Sequence, residues 1–466
     1  MNNLVIDLTH GGVKIAISLA KLGKNVLAYD IYNTLNKIDA QMLQIYNVEL
    51  IRLEDLKDFK GDMNIIYPIH MPLKFSEITK FNENLKFSFQ THHEVVCELL
   101  DGWGCDIKKV EITGVKGKTT SSFMLKEILS DENPLILSSL GAILYENNNE
   151  IILKRDISIT PANIKECIDL AYRYANPICR DDEKIQKYSS AIFESSLGVS
   201  GIGDVGLLLN IVEDYPIAKG NSTASQAKKQ VFRCPCVCID KKTFDTYYSD
   251  IAHPKVNTFS LTDKKANLFI KEVSYSLDKT ELTVEYNNVK TVNDNTLSGE
   301  LTLKTFAPGP HYVSDALGCI LTAISLEIDS AKIIKGLGNF KGITGRCFKR
   351  KIDESTIIEE INPGLNTEAI KESINMLDNL DDYYISIGGD YGITCEEIDE
   401  DKLVKFLEDF NKKIILTGDV GFSISSKLMT NAKYIEKLDD VYKLAVKEHK
   451  NLLFIYRSDY RKVSQR

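Results

Sequence analysis

The stretch VEITGVKGKTTSSFMLKEIL, residues 110–129, constrains the fold of this chain more than any other. A short apolar run leads into a loop that contains Gly114 and the string GKT at 117–119, and a helical pattern follows. The usual phosphate-binding loop has a glycine where this chain has Ile112. Here the upstream glycine is Gly114, which is closer to the Gly-Lys pair. The stretch predicts a strand, a shortened phosphate-binding loop and a helix, and a plain strand–helix turn is the alternative.

Such a loop would hold ATP phosphates with backbone N–H groups and with the positive end of the helix that follows. Lys118 is the expected contact for the outer phosphates, and the Thr119 hydroxyl is the expected magnesium ligand. ATP and Mg²⁺ are therefore the cofactors that we expect. The predicted cofactor-binding residues in this stretch are Gly114, Val115, Lys116, Gly117, Lys118, Thr119 and Thr120.

A second signal lies at residues 191–216, AIFESSLGVSGIGDVGLLLNIVEDYP. One apolar run ends in Glu194 and another ends at Asn210. Side chains at the carboxyl ends of parallel strands lie at the edge where α/β sites form, so Glu194 and Asp214 are candidate magnesium ligands. The alternative is that these acidic residues cap helices or turns. The string GVSGIG imitates a dinucleotide fingerprint, but it precedes a strand rather than a helix, which argues against that interpretation.

The order of apolar runs predicts an α/β chain with three domains. Residues 1–105 begin with a strand, the turn THGG, a helix and a second strand, which predicts a Rossmann-like N-terminal domain. Residues 106–345 contain the loop and form a predicted ATP-binding domain, with a β-rich insertion over 255–305. Residues 346–466 alternate strands and helices again, which predicts a second Rossmann-like domain.

Composition narrows the possible functions. The 466-residue chain has a formal net charge of −9, whereas a general nucleic-acid binder carries a basic face. We see no run of about 18 apolar residues that would predict a membrane span, and MNNLVIDLTHGG is unlike a signal peptide. Ten cysteines without such a signal favour a reducing, cytoplasmic setting. We expect a cytoplasmic enzyme with a small-molecule substrate and no nucleic-acid or membrane partner, and we leave monomer and homodimer open.

Eight short motifs occur in the order found in the Mur ligase family: TGVKGKTT, LSSLG, SITPA, FESSLG, LNIVEDY, AKKQVF, PGPHYVSDAL and GITGR. The chain resembles that family clearly from residue 106 onward and more loosely before it. These ligases share the shortened loop and have an N-terminal substrate domain, a central ATPase domain and a C-terminal Rossmann-like domain. The resemblance implies that ATP phosphorylates a substrate carboxylate and that a nucleophile then attacks the acyl phosphate.

The resemblance also implies roles for individual residues. Lys118 would bind the outer phosphates, and Thr119 and Glu194 would bind magnesium. Lys228 matches a position that is a carbamylated lysine in many members, and Arg346 matches an arginine that reaches ATP. Glu359 or Glu360 lies near an acidic position for ribose or domain closure. The predicted catalytic residues are Lys118, Glu194 and Lys228, the predicted metal ligands are Thr119, Glu194 and Asp214, and the further cofactor contacts are Asn210, His311 and Arg346.

Two positions depart from the family pattern. Asp214 is followed by Tyr215 where members have histidine, and a phenol with a pKa of about 10 is a poor magnesium ligand. The family motif H-N-x-x-N reads HYVSD at residues 311–315, so two asparagines on the adenine side are replaced. These departures keep open the hypothesis that the chain is a nucleotide-binding regulatory protein without catalysis.

Both ends of the chain resemble a methanogen branch of the family that completes a nickel tetrapyrrole. The stretches that match are DLTHGG, YDIYNT, THHEVV, GGDYGITCEEID and LLFIYRSDY. This resemblance implies that ATP activates a propionate of the macrocycle and that a carbon of the same molecule closes a ring, with nickel carried by the substrate. A Mur-type amide ligase for a pseudomurein peptide or another γ-glutamyl product is the alternative.

A large polyanionic substrate would need imidazole, basic and polar contacts at the domain edges. His92 and His93 open a predicted helix, so capping or solvent exposure is their alternative role. The predicted substrate contacts are His10, Gly11, His92, Asp390, Tyr391 and Arg457, with His70, His93, Thr394 and Arg461 as further candidates.

Overall fold

The computed structural model describes residues 1–177, 186–276, 279–344, 346–362, 365–375, 383–393, 398–410, 413–429, 432–459 and 463. Thr394 and Arg461, two of the further substrate candidates, lie outside the described residues. Within the described ranges we find no helix that combines the length and the apolar character of a membrane crossing. The chain divides into a first unit, Met1–Val273, Leu282–Leu303 and Ser314–Gly338, and a second unit, Ser274–Glu281, Lys304–Val313 and Asn339–Arg466.

The N-terminal part of the first unit is a parallel sheet with helices. Its strands are β1 (Asn2–Ile6), β2 (Asn25–Tyr29), β3 (Glu49–Leu50), β4 (Asp62–Tyr67) and β5 (Lys86–Thr91), and its helices are α1 (Val13–Lys21), α2 (Lys37–Ile45), α3 (Phe75–Thr79) and α4 (His92–Leu99). The strand order β3-β2-β1-β4-β5 is that of a Rossmann-type sheet. Leu4, Val5 and Ile6 are fully buried, as expected for a central parallel strand with both faces covered. Thr91 and Glu94 form a capping box at the start of α4.

The central sheet carries the phosphate-binding loop. Its strands are β6 (Lys108–Thr113), β7 (Leu135–Ser138), β8 (Gly141–Glu146), β9 (Asn149–Lys154), β10 (Ser190–Glu194), β11 (Val205–Leu208), β14 (Cys236–Asp240), β15 (Val256–Ser260), β16 (Leu268–Ser274), β17 (Thr280–Lys290) and β18 (Thr296–Thr305). A separate two-stranded sheet consists of β12 (Pro216–Ile217) and β13 (Ser222–Thr223). Its helices are α5 (Lys118–Ile128), α6 (Pro161–Ala175), α7 (Ala224–Lys228), α8 (Lys241–Tyr247), α9 (Pro310–Ser325) and α10 (Ser330–Asn339).

The strand order of the central sheet is β18-β17-β16-β15-β14-β11-β6-β10-β7-β8-β9. β6 pairs in parallel with both β10 and β11, so the carboxyl ends of these strands meet at one edge. The stretch 255–305, which the sequence predicts as a β-rich insertion, contains β15 to β18 and is rich in strands. These strands continue the central sheet, a pairing that strand alternation alone does not show.

The C-terminal sheet lies in the second unit. Its strands are β19 (Cys347–Ile352), β20 (Ser355–Ile361), β21 (Tyr383–Gly389), β22 (Ile414–Thr417), β23 (Lys433–Tyr434) and β24 (Asn451–Arg457), and its helices are α11 (Thr367–Asn375), α12 (Glu400–Glu408), α13 (Gly418–Ser425) and α14 (Leu438–Lys447). The order is β19-β20-β24-β21-β22-β23, with β19 the antiparallel edge strand. The strands of the three sheets fall within the three predicted sequence ranges, whereas the domain boundaries themselves stay predictions.

Candidate active site

The phosphate-binding loop connects β6 to α5, as the sequence predicts. Gly117 stands at the N-cap of α5 with a φ of +85°, a left-handed conformation that favours glycine. A Cβ on Gly117 would lie 2.0 Å from Oδ1 of Asp315, so a larger residue does not fit without movement. The start of α5 therefore has no capping side chain, which is the arrangement of anion-binding helix N-termini.

Asn210 holds the loop in shape. Its Oδ1 accepts a hydrogen bond from the backbone N–H of Lys116 at 3.1 Å, and its Nδ2 donates to the Lys116 carbonyl at 3.1 Å. The Asn210 carbonyl also accepts from the N–H of Val115 at 3.1 Å. Asn210, predicted as a cofactor contact, therefore acts in this structure as a residue that positions the loop.

Lys118 lies inside the loop. Its Nζ donates to the carbonyls of Gly114 at 3.0 Å and Val115 at 3.4 Å. The Lys118 ammonium group therefore lies close to the loop backbone that would surround the phosphates. Thr120 follows in the first turn of α5 and is half-buried.

Oxygen donors suited to magnesium converge beside the loop. The Thr119 hydroxyl lies 3.2 and 3.1 Å from the two carboxylate oxygens of Glu194 and 3.0 Å from the hydroxyl of Ser139. The backbone N–H of Ser139 donates to Glu194 at 3.0 Å. Glu194 ends β10 next to β6 and is only 2% exposed. These hard oxygen donors fit the preference of Mg²⁺, so the residues present suit the predicted ion.

Lys228 is buried at the same edge. Its Nζ donates to the carbonyl of Ser196 at 2.6 Å and lies 3.3 Å from the hydroxyl of Thr113 at the end of β6. Burial, with a smaller contribution from the positive charge of Lys118, lowers the pKa of Lys228 to about 7. A substantial neutral fraction near pH 7 provides the amine that a reaction with CO₂ requires.

Asp214 holds the start of α7, the helix that ends in Lys228. Its Oδ1 accepts from the backbone N–H of Ser225 and its Oδ2 from the Ser225 hydroxyl, both at 2.7 Å. This geometry matches the capping alternative, and the metal role of Asp214 stays a prediction. The neighbouring Tyr215 packs against an apolar cluster that contains Ile217 and Ala227. Burial and the charge of Asp214 raise the pKa of Tyr215, which makes its phenol a still poorer metal ligand.

The glycine-rich stretch GVSGIG wraps a buried carboxylate. Glu111, on β6, accepts hydrogen bonds from the N–H and hydroxyl of Ser200 at 2.7 and 2.6 Å. It also accepts from the N–H groups of Gly201 at 2.7 Å and Gly203 at 3.1 Å. The glycines thus bring backbone donors to Glu111, which supports the sequence argument against a dinucleotide site.

A cavity of about 380 Å³ lies in the first unit between the N-terminal and central sheets. This volume falls in the range of about 300–1,000 Å³ that is usual for small-molecule sites. The predicted contacts His10 and His92 lie around it, and Gly11 packs so closely on Ala162 that a Cβ would come within 2.6 Å. The lining residues are His10, Pro68, Ile69, His70, His92, His93, Ser158, Ile159, Thr160, Pro161, Ser195, Ser196 and Leu197.

Two of the cavity histidines are buried and neutral. Nε2 of His92 lies 3.0 Å from the carbonyl of Ile6, and burial lowers the pKa of His92 to about 4. Burial also lowers the pKa of His93 to about 3. Within the part of the chain that the structure describes, neither ring nitrogen of His93 has a hydrogen-bond partner. Because unsatisfied buried polar groups are costly, His93 marks a position that suits a ligand with a polar group.

The cavity wall is continuous with the loop site. Ser195 and Ser196 line the cavity and directly follow Glu194, which contacts Thr119. The Ser196 carbonyl receives the hydrogen bond from Lys228. A ligand group in this cavity would therefore lie beside the candidate magnesium and lysine residues.

Arg346 and His311 lie in the second unit. The charge of Arg346 acts on Glu360, whose pKa burial raises to about 7 although the Tyr312 hydrogen bond and Arg346 lower it. Tyr312 donates to Glu360 at 2.7 Å, and the rings of His311 and Tyr312 have centroids 4.0 Å apart. Tyr312, which replaces the family asparagine, thus serves as a buried donor to Glu360.

The substrate contacts predicted near the C-terminus also lie in the second unit. Asp390 accepts from the Tyr456 hydroxyl at 2.6 Å and the Ser458 hydroxyl at 2.7 Å. Arg457 is buried, and its Nη1 donates to the Asp390 carbonyl at 3.2 Å. Tyr391 is exposed and hydrogen-bonds Glu400. Asp390 also borders an open cleft of about 1290 Å³ in this unit.

Comparison with known proteins agrees with this architecture. Residues 349–459 match a family model described as the C-terminal domain of the coenzyme F430 synthetase CfbE. The chain is 27% identical over 448 residues to the coenzyme F(430) synthetase of Methanocaldococcus jannaschii, with 94% of this chain and 95% of that protein covered. It is 26% identical over 468 residues to the synthetase of Methanosarcina acetivorans, with 94% and 93% covered. A crystal structure of MurF from Acinetobacter baumannii superposes with a TM-score of 0.57 at 14% identity, covering 85% of this chain and 82% of that one.

The chain has the Mur ligase fold and resembles the coenzyme F430 synthetases. The predicted α/β, Mur ligase-like fold class is thereby confirmed. Within the Mur ligase fold, the loop, Glu194 and Lys228 stand on adjacent strands and a helix of one unit.

Sequence reasoning missed several contacts of the site. Asp315 packs against Gly117, and burial raises its pKa to about 8, although the charge of Lys118 opposes the shift. Ser139 belongs to the motif LSSLG, which contributes to the family resemblance. The motif does not predict the contact of Ser139 with Glu194. Asp7 contacts His10 and His70 and has a φ of +73°, a backbone strain that no local sequence pattern shows.

Proposed function

We propose that this chain is an ATP-dependent ligase that closes a carbocyclic ring on a nickel tetrapyrrole to give coenzyme F430. In this proposal a propionate carboxylate of the seco-acid precursor attacks the terminal phosphorus of ATP, and ADP leaves. A ring carbon of the same molecule then loses a proton and attacks the acyl phosphate carbonyl, and phosphate leaves. The nickel enters and leaves with the substrate.

One observation carries the proposal. A phosphate-binding loop with a Thr119–Glu194 pair adjoins a cavity whose wall continues from Glu194 through Ser195 and Ser196. Such an arrangement would bring a carboxylate and the end of a triphosphate together, and holding both reactants accounts for much of a rate enhancement. The similarity to coenzyme F430 synthetases over 94% of the chain supports the choice of substrate.

The chain's own residues suit these steps. Lys118 and the N-terminus of α5 would orient the phosphates, and Thr119 with Glu194 would hold Mg²⁺, which neutralises charge on the phosphates when bound. The buried wall of the cavity would keep water from the acyl phosphate. His92 and His93, which burial keeps neutral, would offer hydrogen bonds without adding charge.

Lys228 is proposed to carry a carbamate. Its neutral amine would attack CO₂ at carbon and release one proton to solvent, which replaces a neutral amine with an anionic carbamate near Thr119 and Glu194. The lowered pKa and the position of Lys228 behind Ser196 support this role. The domain boundaries 1–105, 106–345 and 346–466 are part of the same proposal.

The test is a turnover assay with purified chain, ATP, Mg²⁺ and the nickel seco-acid, with no amino acid added. We expect stoichiometric ADP, phosphate and ring-closed product by chromatography and mass spectrometry. Lys118→Ala should abolish turnover, and Lys24→Ala, which removes an exposed lysine side chain of the first unit away from the loop, is the control. Product that forms only after an amino acid is added would instead identify an amide ligase. ATP binding without consumption would identify a regulatory protein.

A further inference from the structure

Three side chains converge at the edge of the N-terminal sheet, outside the loop site. Nδ1 of His10 lies 2.7 Å from Oδ2 of Asp7, and Nε2 of His70 lies 3.3 Å from the same oxygen. The two histidine nitrogens are 3.3 Å apart. Among the described residues, Asp7, His10 and His70 form a group of potential metal ligands whose donor atoms all lie within 4.8 Å of one another.

The fold holds these donors in place. Asp7 follows β1 and His70 follows β4, and the two strands are parallel neighbours, so both residues reach the same edge. Asp7 is fully buried, and its Oδ1 accepts the N–H groups of Thr9 at 2.9 Å and His10 at 3.2 Å. These bonds fix the carboxylate so that Oδ2 points to the two imidazoles. The left-handed φ of +73° at Asp7 shows that the surrounding structure enforces this orientation.

The distances match those between ligands of one metal ion. Donors about 2.0–2.1 Å from an ion lie about 3.4 Å apart in a tetrahedron and about 2.9 Å apart along an octahedral edge. The separations of 2.7, 3.3 and 3.3 Å lie close to these values. Two imidazoles and one carboxylate on one side of an ion form the facial arrangement that leaves other positions open.

The open side of the group faces a ligand cavity. His10 and His70 both line the histidine-lined cavity, with side chains that are 45% and 25% exposed. Thr160 and His93 line the same cavity, and among the described residues their buried side-chain polar atoms have no hydrogen-bond partner. A ligand on an ion at Asp7 would therefore share the cavity with unsatisfied polar groups.

We propose that Asp7, His10 and His70 bind a divalent transition-metal ion such as Zn²⁺, Co²⁺ or Ni²⁺, with open coordination positions toward the cavity. Imidazole ligands favour these ions over Mg²⁺. A nickel already inside a planar macrocycle offers one axial position on each face, so three convergent donors cannot all bind it. A substrate carboxylate oxygen would occupy an open position of the protein-bound ion, a part of the inference that rests on the proposed function.

The first test is metal binding by the full chain, without ATP or substrate. Metal-free protein is titrated with Zn²⁺ by calorimetry and with Co²⁺ by visible absorption. We expect one ion per chain and the strong absorption bands of low-coordinate Co²⁺. His10→Ala and His70→Ala should each weaken binding by at least about 10–100-fold, the loss that even an outer-shell partner causes. His449→Asn is the control, since it removes an exposed imidazole from the second unit at a left-handed position that asparagine tolerates.

The fold of each variant is checked by the fluorescence of Trp103, the one tryptophan of the chain. Absence of binding in the unaltered chain, or unchanged affinity in both correctly folded histidine variants, would overturn the metal site. Acetate then serves as a carboxylate probe of the Co²⁺ form. A shifted spectrum supports an open position toward the cavity, and an unchanged spectrum overturns only that part. Because no turnover is measured, these outcomes are independent of the proposed reaction.

Discussion

Replacement of Gly117 by alanine tests whether the packing of the phosphate-binding loop is as tight as the structure indicates. A Cβ at this position would lie 2.0 Å from Oδ1 and 2.6 Å from Cγ of Asp315, which is buried. The backbone at Gly117 also has a φ of +85°. The substitution therefore adds a steric clash to a conformation that alanine already disfavours.

The two costs can be separated. The left-handed conformation costs a residue with a Cβ about 1–2 kcal/mol, and forcing a group into a packed interior costs about 1–3 kcal/mol. Gly117→Ala should thus lower the free energy of unfolding by about 2–5 kcal/mol. Gly23 is the matched control, because its φ is +71° and a Cβ there would meet nothing within 4 Å. Gly23→Ala should cost only about 1–2 kcal/mol.

The single tryptophan provides the assay. Trp103 lies in the first unit, and its ring centroid is 6.0 Å from that of Phe193 on β10. Urea unfolding followed by Trp103 fluorescence therefore reports on the sheet that carries the loop. Asp315→Ala in the Gly117→Ala background should recover the clash component but not the conformational one. If Gly117→Ala and Gly23→Ala differ by less than about 0.5 kcal/mol, the tight contact with Asp315 is not present in solution.

Four further predictions use the same protein. Asp315→Asn should be more stable than the unaltered chain at pH 8, and the difference should shrink as the pH falls toward about 4. A carboxyl with its pKa raised to about 8 binds more protons folded than unfolded, so stability falls as pH rises from about 4 to about 8. Equal urea midpoints at pH 8 would contradict this. The free energy of unfolding of the unaltered chain should rise as the pH rises from about 7 to about 10, because the lowered pKa of Lys228 means that the unfolded chain binds more protons in this range. Lys228→Met should remove this rise. If Lys228 carries a carbamate, enzyme depleted of bicarbonate should lose activity and regain it when bicarbonate is added. The activity of Lys228→Ala should instead be restored by short-chain acids. Full activity of Lys228→Ala without any added acid would dismiss the carbamate. Asn210→Ala removes two side-chain hydrogen bonds to Lys116 and should raise the dissociation constant of an ATP analogue by about 5–150-fold, at about 0.5–1.5 kcal/mol for each bond; an unchanged constant would mean that the loop keeps its shape without Asn210.

The parts of the site that the sequence predicts are those set by local order along the chain. The loop follows from glycine spacing between a strand and a helix, and Glu194 follows from its place at the end of an apolar run. Position at a strand end is informative because parallel strands share an edge.

The remaining contacts depend on residues far apart in sequence. Asp315 reaches Gly117 only because α9 packs beside the loop, and no spacing rule relates the two positions. The carboxylate of Asp214 could ligate a metal or cap a helix, and its two hydrogen bonds from Ser225 depend on how the chain folds back on itself. Likewise, His10 and His70 come together through the pairing of β1 with β4, whose register the sequence does not specify.

The central place of β6 has a consequence for the synthesis of the protein. Val110 pairs with Ile192 on one side and with Val205 on the other. During translation the loop leaves the ribosome before either partner strand exists, on a buried-type strand with both edges open. The nucleotide site cannot be completed until β11, which ends at Leu208, has emerged. The growing chain therefore passes through a long interval in which a central strand is exposed to mispairing and aggregation.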